Sequence, residues 1–247
     1  MKKLSFYLRI VRVLVHVVRG ILICLMVFPW LDAAAKQVKI QMWSQQLLAI
    51  FRIRVKMNVV TMPLRSIIVS NHISWLDIFV LNSLAPCRFV AKSDIRSWPL
   101  IGWLSEQVGT IFIARGNGRD VLRIHQVMAE QIAAGERIAF FPEGTTAAQG
   151  QILPFHANLF EAAIQAAVPI QPFAMRYVGP EGDLHHAVDY IGEMTLAESI
   201  GSILLAGDIV VHLLSLEPIS SDNVHRRELA LIARGAVAAA LQVDITS

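Results

Sequence analysis

The heptapeptide Asn71-His72-Ile73-Ser74-Trp75-Leu76-Asp77 places an imidazole and a carboxylate five residues apart. On one regular helix such residues point about 140° away from each other and do not meet. They meet if His72 lies on the turn before a helix and Asp77 in its first turn. The carboxylate then takes the Nδ1 proton, sets the tautomer, and leaves Nε2 to accept a proton from a hydroxyl, which is general-base chemistry. A second reading stands beside it. Ser74-Trp75-Leu76-Asp77 fits the S-x-x-[DE] capping box, in which Asp77 only closes a helix start and His72 is a turn residue.

The elements that must position these groups can be read around them. A short β-branched run before Asn71 reads as a buried strand. Strand-like runs at 65–70, 88–91, 110–114, 137–141, 168–174 and 208–213 alternate with helical patterns at 75–84, 118–134, 160–167 and 226–241. In 118–134 the apolar face comprises Val121, Leu122, Ile124, Val127, Met128 and Ile132, with Gly135 at its end. The alternation predicts an α/β fold, a mixed, largely parallel sheet flanked by helices. The predicted boundary lies near residue 60, with a membrane-associated helical segment over 1–60 and the α/β domain over 61–247.

The residues directly after each run carry the chemistry. After the first come Asn71 and His72, after the second Lys92, after the third Arg115, and after the fourth Pro142, Glu143, Gly144, Thr145 and Thr146. In an open parallel sheet the carboxyl ends of the strands share one edge, and ligands bind in the crevice outside it. Four strands would deliver a base, two cations and a carboxylate-glycine loop to one place. Each member has a plainer reading: Lys92 and Arg115 as solvated charges, and 142–145 as a Pro/Gly turn. A carboxylate directly after the apolar run Ile138-Ala139-Phe140-Phe141 nevertheless requires a partner or a task.

Composition narrows the class. Hydrophobic residues make up 55% of the chain and mean hydropathy is +0.52, high for a freely soluble protein. Residues 1–60 hold ten Lys and Arg against one acid, Asp32, although the whole chain carries only +3. Positive charge beside apolar sequence favours an anionic, cytoplasmic membrane face over nucleic acid, for which no recognition motif is present. Arg9, Arg12, His16 and Arg19 form a basic stripe on a helix otherwise built of Leu, Ile and Val. The uncharged run from Ile21 to Leu31 is too short to span ~30 Å of hydrocarbon. A helix lying in one leaflet is expected, with a second amphipathic helix over 32–51 completing a membrane-docking hairpin. A tilted span over 8–31 is the alternative. A cleaved signal peptide before Ala33-Ala34-Ala35 is disfavoured, because arginines reach position 19. A strand with one solvated face comes next, at 52–60. Cys24 and Cys87 make no disulfide framework, and no His or Cys spacing makes a metal site.

Four blocks now carry a resemblance. Asn71-His72-x-Ser74-x-x-Asp77, Gly109-Thr110-Ile111-Phe112-Ile113-x-Arg115, Phe141-Pro142-Glu143-Gly144-Thr145 and Val168-Pro169-Ile170-x-Pro172 occur in the order of the blocks of the glycerolipid acyltransferases, which include the 1-acylglycerol-3-phosphate O-acyltransferases. Ala91-Lys92-Ser93-Asp94 resembles the family's lysine segment. The resemblance implies acyl transfer from acyl-CoA or acyl carrier protein to a lysolipid hydroxyl, with no bound cofactor and no acyl-enzyme. His72 would be the base, oriented by Asp77. Arg115 and Lys92 would bind phosphate, while Glu143 and Gly144 would shape the acceptor site. Asn71, Ser74, Thr145, Thr146 and Pro169 complete the implied substrate-binding set. Backbone N–H groups near Ser74 or Gly144 are the available oxyanion donors. Implied partners are a membrane phospholipid surface and the lysolipid, at the cytoplasmic face of the inner membrane. One departure stands out: the phosphatidate-forming branch has arginine where this chain has Thr146, and Glu-Gly-Thr-Thr resembles lysophospholipid and lyso-ornithine lipid acyltransferases. A thioesterase, using His72 on water, and a non-catalytic membrane-binding protein are the rivals.

Overall fold

The structure is a computed structural model that describes residues 2–58, 63, 65–114 and 118–244. Its strands are β1 (Ile53–Met57), β2 (Ile67–Ser70), β3 (Arg88–Lys92), β4 (Ile111–Ile113), β5 (Ile138–Phe140), β6 (Ile170–Val178) and β7 (Ile209–Ser215). Its helices are α1 (Lys2–Leu22), α2 (Ala33–Ile50), α3 (Leu76–Leu84), α4 (Ile101–Gln107), α5 (Gly118–Ala133), α6 (Glu161–Gln165), α7 (Leu196–Ala206) and α8 (Arg226–Leu241). The strands form one sheet in the order β1-β7-β6-β2-β5-β3-β4, mixed and mostly parallel as expected. The chain divides into two compact units, one of 1–56, 73–86 and 176–212, the other of 57–72, 87–175 and 213–247.

The second unit contains the parallel strands. Ile67 pairs with Ile138 of β5 on one side and Ile170 of β6 on the other. Farther along, Phe89 of β3 pairs with Ala139, and Val90 with Ile111. Buried on both faces, β2, β5 and β6 read as largely apolar runs, as parallel strands do, whereas β3 and β4 toward the edge are only partly buried. Ile67, Val69, Ile138, Phe140 and Ile170 pack with Ile124, Met128 and Ile132 of α5, Phe160, and Leu229 and Ala233 of α8. Leu122 does not join them. It is 62% exposed, because its place on the helix lies outside the arc of Ile124, Met128 and Ile132 that meets the sheet. The helix expected over 160–167 begins earlier, as a 3₁₀ turn Ala157–Phe160, before α6.

The first unit is helical around α1, α2, α3 and α7. Residues 5–30 form a continuous apolar helical stretch of 26 residues, long enough to cross a bilayer, because π and 3₁₀ turns carry the helix on past Leu22 to Trp30. The apolar helix thus extends on the N-terminal side beyond the uncharged run from Ile21 to Leu31. The basic stripe is also used differently from expectation, for three of its four members bond to protein. Arg9 donates to the Leu204 carbonyl, Arg19 Nη1 to Gln46 Oε1 at 2.8 Å, and His16 stacks on Trp43 with ring centroids 4.4 Å apart. Leu8, Val11, Leu14, Val15 and Val18 are left outward. Tying Arg9 and Arg19 to acceptors of the protein while exposing apolar groups is an arrangement suited to lipid rather than water.

Asp32 caps α2, its Oδ1 accepting from Ala35 N–H at 2.8 Å. The helix is not amphipathic in the soluble sense, since Val38 and Met42 are exposed while Leu47, Leu48 and Ile50 are buried. Gln41 and Gln45 donate to the Ser83 and Leu84 carbonyls, so α2 satisfies the otherwise unpaired carboxyl end of α3 and holds that helix in place. The α7 helix, which hydrophobic periodicity left unassigned, starts in a full capping box between Thr195 and Glu198.

Candidate active site

Asn71 and His72 come directly after β2. Asn71 is buried and spends its side chain on one backbone residue, Nδ2 donating to Met175 O at 2.9 Å and Oδ1 accepting from Met175 N–H at 2.8 Å. It therefore ties the end of β2 to β6 and is not available to a substrate. His72 is fixed through its backbone. Its N–H donates to Glu143 Oε1 at 2.8 Å and its carbonyl accepts from Ala147 N–H at 2.8 Å. The imidazole lies flat on Phe141, centroids 4.0 Å apart and planes 7° from parallel, and Phe141 in turn stacks with Phe89 at 5.8 Å. The residue as a whole is half-buried.

Glu143 has the partner that its position demanded. It is only 3% exposed, and its other oxygen accepts from Leu153 N–H at 2.8 Å. One carboxylate thus clamps the histidine's backbone and a neighbouring loop. Gly144 closes the turn with φ +67°, its N–H donating to Phe141 O at 3.1 Å. A Cβ there would lie 3.2 Å from His156 Cδ2, in a backbone conformation that favours glycine. Thr145 is exposed and Thr146 half-buried on the same loop.

Parallel pairing puts the carboxyl ends of β2, β5 and β3 on one edge, so His72, the 143–146 loop and Lys92 share it. Lys92 ends β3, two strands from β2, which is about 10 Å at normal strand spacing. Arg115 lies outside the described residues. Pro169 is on the opposite edge: its carbonyl accepts from Ile67 N–H at 3.0 Å, where β2 begins, a strand's length of about 10 Å from the rim. That placement corrects its assignment to substrate binding. It serves sheet pairing.

In the other unit, Asp77 is completely buried in the first turn of α3. Oδ2 accepts from Ile73 N–H at 2.7 Å and Ser74 N–H at 3.0 Å, and Oδ1 accepts from Tyr177 OH at 2.6 Å. Only half of the expected capping box forms. Asp77 reaches back to the Ser74 amide, but Asp77 N–H bonds the Ser74 carbonyl at 3.1 Å, and Ser74 Oγ, fully buried, has no partner. Burial, then the charge of Asp77 and the hydrogen bond to it, hold the Tyr177 hydroxyl well above the usual phenol range, so it remains a donor. Nothing in sequence marks Tyr177, which lies a hundred residues from Asp77. Trp75 is held by Ser199 Oγ at 3.0 Å.

Of the amides near Ser74 and in the Gly144 loop, those of Ile73 and Ser74 are bonded to Asp77 and that of Gly144 to Phe141. Among the described residues no group of three or more His, Cys, Asp or Glu side chains is arranged to hold a metal ion.

Fold and rim together define an α/β protein that carries His72, Lys92 and the 143–146 loop on the carboxyl edge of a largely parallel sheet. The family model described as Acyltransferase matches residues 52–176. The lyso-ornithine lipid O-acyltransferase of Pseudomonas aeruginosa is 42% identical over 173 residues, 70% of this chain and 66% of that protein. The 1-acyl-sn-glycerol-3-phosphate acyltransferase of Neisseria gonorrhoeae is 39% identical over 116 residues, 47% of this chain and 46% of that protein. This chain therefore spans just under two thirds of the first relative and about half of the second. The crystal structure of the 1-acyl-sn-glycerophosphate acyltransferase PlsC from Thermotoga maritima shares the fold, with a TM-score of 0.67 at 19% identity, covering 95% of this chain and 96% of that one. The chain belongs to the glycerolipid acyltransferase family.

Proposed function

We propose that this protein is a membrane-associated O-acyltransferase that moves a fatty acyl group from the thioester of acyl-CoA or acyl carrier protein to the hydroxyl of a lysolipid. The observation that carries the reading is the seat of His72, backed by Phe141, clamped through its backbone by Glu143, and sharing a sheet edge with Lys92 and the 143–146 loop. His72 Nε2 takes the proton of the acceptor hydroxyl as its oxygen attacks the thioester carbonyl. The tetrahedral adduct collapses to the ester and expels the thiolate, which recovers that proton from the imidazolium as thiol. A positioned base of this kind contributes ~10²–10⁴-fold. Asp77 is the orienting residue, acting on the turn just after His72, and Tyr177 keeps Asp77 in place. Lys92 and Arg115 take a phosphate, and Thr145 and Thr146 border the acceptor. The apolar helix over 5–30 docks the protein on the inner membrane, with the reaction on the cytoplasmic side where soluble donors are found.

The test is His72→Ala in membranes with labelled acyl-CoA, supplied with and without lysolipid. Acyl transfer should fall to background. Label released as fatty acid in the absence of lysolipid would identify a thioesterase, and unchanged transfer in the variant would remove the catalytic reading. A narrower acceptor, lyso-ornithine lipid, is favoured by Thr146 in place of an arginine, since Arg is the bidentate partner of phosphate, and by what the Pseudomonas relative is called. A panel of lysophosphatidate, lysophosphatidylcholine, lyso-ornithine lipid and glycerol 3-phosphate separates these acceptors.

A further inference from the structure

Between β3 and α4 the chain makes a tight, strained excursion. Ser93–Ser97 form a 3₁₀ turn, and Trp98 N–H donates to Ile95 O at 3.1 Å. Pro99-Leu100-Ile101 is a γ-turn, with Ile101 N–H donating to Pro99 O at 2.7 Å and Leu100 at φ +64°, ψ −50°, a conformation side-chain-bearing residues rarely adopt. Gly102 locks it: a Cβ there would lie 2.1 Å from the Arg96 carbonyl oxygen, so the two segments cross in backbone contact. This construction presents two large apolar side chains, Trp98 and Leu100, each 44% exposed, to the outside.

Over 92–106 the charges balance. Lys92 and Arg96 stand against Asp94 and Glu106, and Arg96 is ion-paired with Glu106 while lying over the Phe112 ring. Of the other two arginines that line the cavity beside Arg96, Arg88 is paired with Glu136, and Arg123 is the second. A nucleic acid or an acidic protein would meet no net charge on the segment itself. A bilayer needs none, because tryptophan settles at the membrane–water interface and leucine below it. The chain already carries a separate 26-residue apolar helix, so a bilayer is a partner at hand. The excursion also leaves from the carboxyl end of β3, the edge that bears His72 and the 143–146 loop.

We infer that Trp98 and Leu100 form a second membrane contact, inserted in the interfacial layer of a bilayer on the reactive edge of the sheet. The link to acceptor entry rests on the acyl-transfer reading, whereas the contact itself does not. Leu100→Cys, and separately Trp98→Cys, each in the full chain with Cys24 and Cys87 changed to Ala, is spin-labelled and reconstituted in phosphatidylcholine vesicles. Gln165→Cys, exposed at the end of α6, is the aqueous control. Relative accessibility to oxygen over a water-soluble nickel chelate should be several-fold higher at 98 and 100 than at 165, and should not change with salt or added anionic lipid. Equal ratios at the three positions overturn the inference. Insertion that appears only with anionic lipid, or disappears with salt, overturns it as well. Trp98→Cys keeps the γ-turn residue and stays informative if Leu100→Cys does not fold. Because depth is what is read, loss of acyl transfer leaves the result standing, and a failed insertion leaves the acyl-transfer reading standing.

Discussion

Asp77→Asn separates the charge of the buried carboxylate from its shape. Asp77 accepts from two backbone amides on one oxygen and from Tyr177 OH on the other. Asparagine can keep its oxygen on the Ile73 and Ser74 amides and turn its NH₂ toward Tyr177, whose hydroxyl can change from donor to acceptor. All three contacts survive, and each loses only its charge assistance, in total about 2 kcal/mol. For a chain of this size that is a fall of roughly 4–8 °C in Tm. Asp77→Ala instead strands two amides and a hydroxyl in the interior at about 1–3 kcal/mol each, enough to unfold an ordinary domain. Activity should order differently. With the charge gone, a base oriented by Asp77 loses much of its ~10²–10⁴-fold contribution. Thermal unfolding in detergent and initial rates with labelled acyl-CoA measure both. A folded Asp77→Asn that keeps acyl transfer within a few-fold of the parent refutes the orienting role. One that unfolds like the alanine variant refutes the hydrogen-bond reasoning.

Glu143→Gln should be the harsher amide substitution for stability, because one backbone N–H group bonds each of its two oxygens and neither N–H can turn into an acceptor. One buried amide is left facing NH₂, at about 1–3 kcal/mol, and faster hydrogen exchange at His72 or Leu153 would mark which; an unchanged Tm and exchange pattern would contradict the clamp. Burial pushes the Cys87 thiol from 9.0 up to about 12. The folded chain then holds a proton that the unfolded chain releases. This contribution is whole below about pH 9 and falls by ~1.4 kcal/mol per pH unit from there toward 12. Cys87→Ala should flatten urea midpoints between pH 9 and 11, and an unaltered slope would show that another group governs that range.

The central strands of the second unit were legible because burial on both faces writes them as largely apolar runs, and their common direction came from the helices between them. From there the sharing of one edge by His72, Lys92 and Glu143 is geometry that residue order alone can deliver. Local patterns likewise announced a helix starting near Asp32 and the Pro/Gly turn at 142–145. Segment lengths were less secure: α1 continues through π and 3₁₀ turns that periodicity does not report, and the γ-turn at Leu100 has no signature in residue types.

The sequence by itself determined which side chains could do chemistry, and on which edge of the sheet. Only the tertiary structure decided how they are held: that Asn71 is spent on Met175, that Glu143 grips backbone, and that Tyr177 donates to Asp77 across a hundred residues. It also tied Arg9 and Arg19 of α1 to acceptors of the protein and left the apolar face outward. The reason is physical. Strand direction and hydrophobic period are local and repeat along the chain, whereas the partner of a single buried polar atom is chosen by whatever the whole fold brings within three ångströms of it.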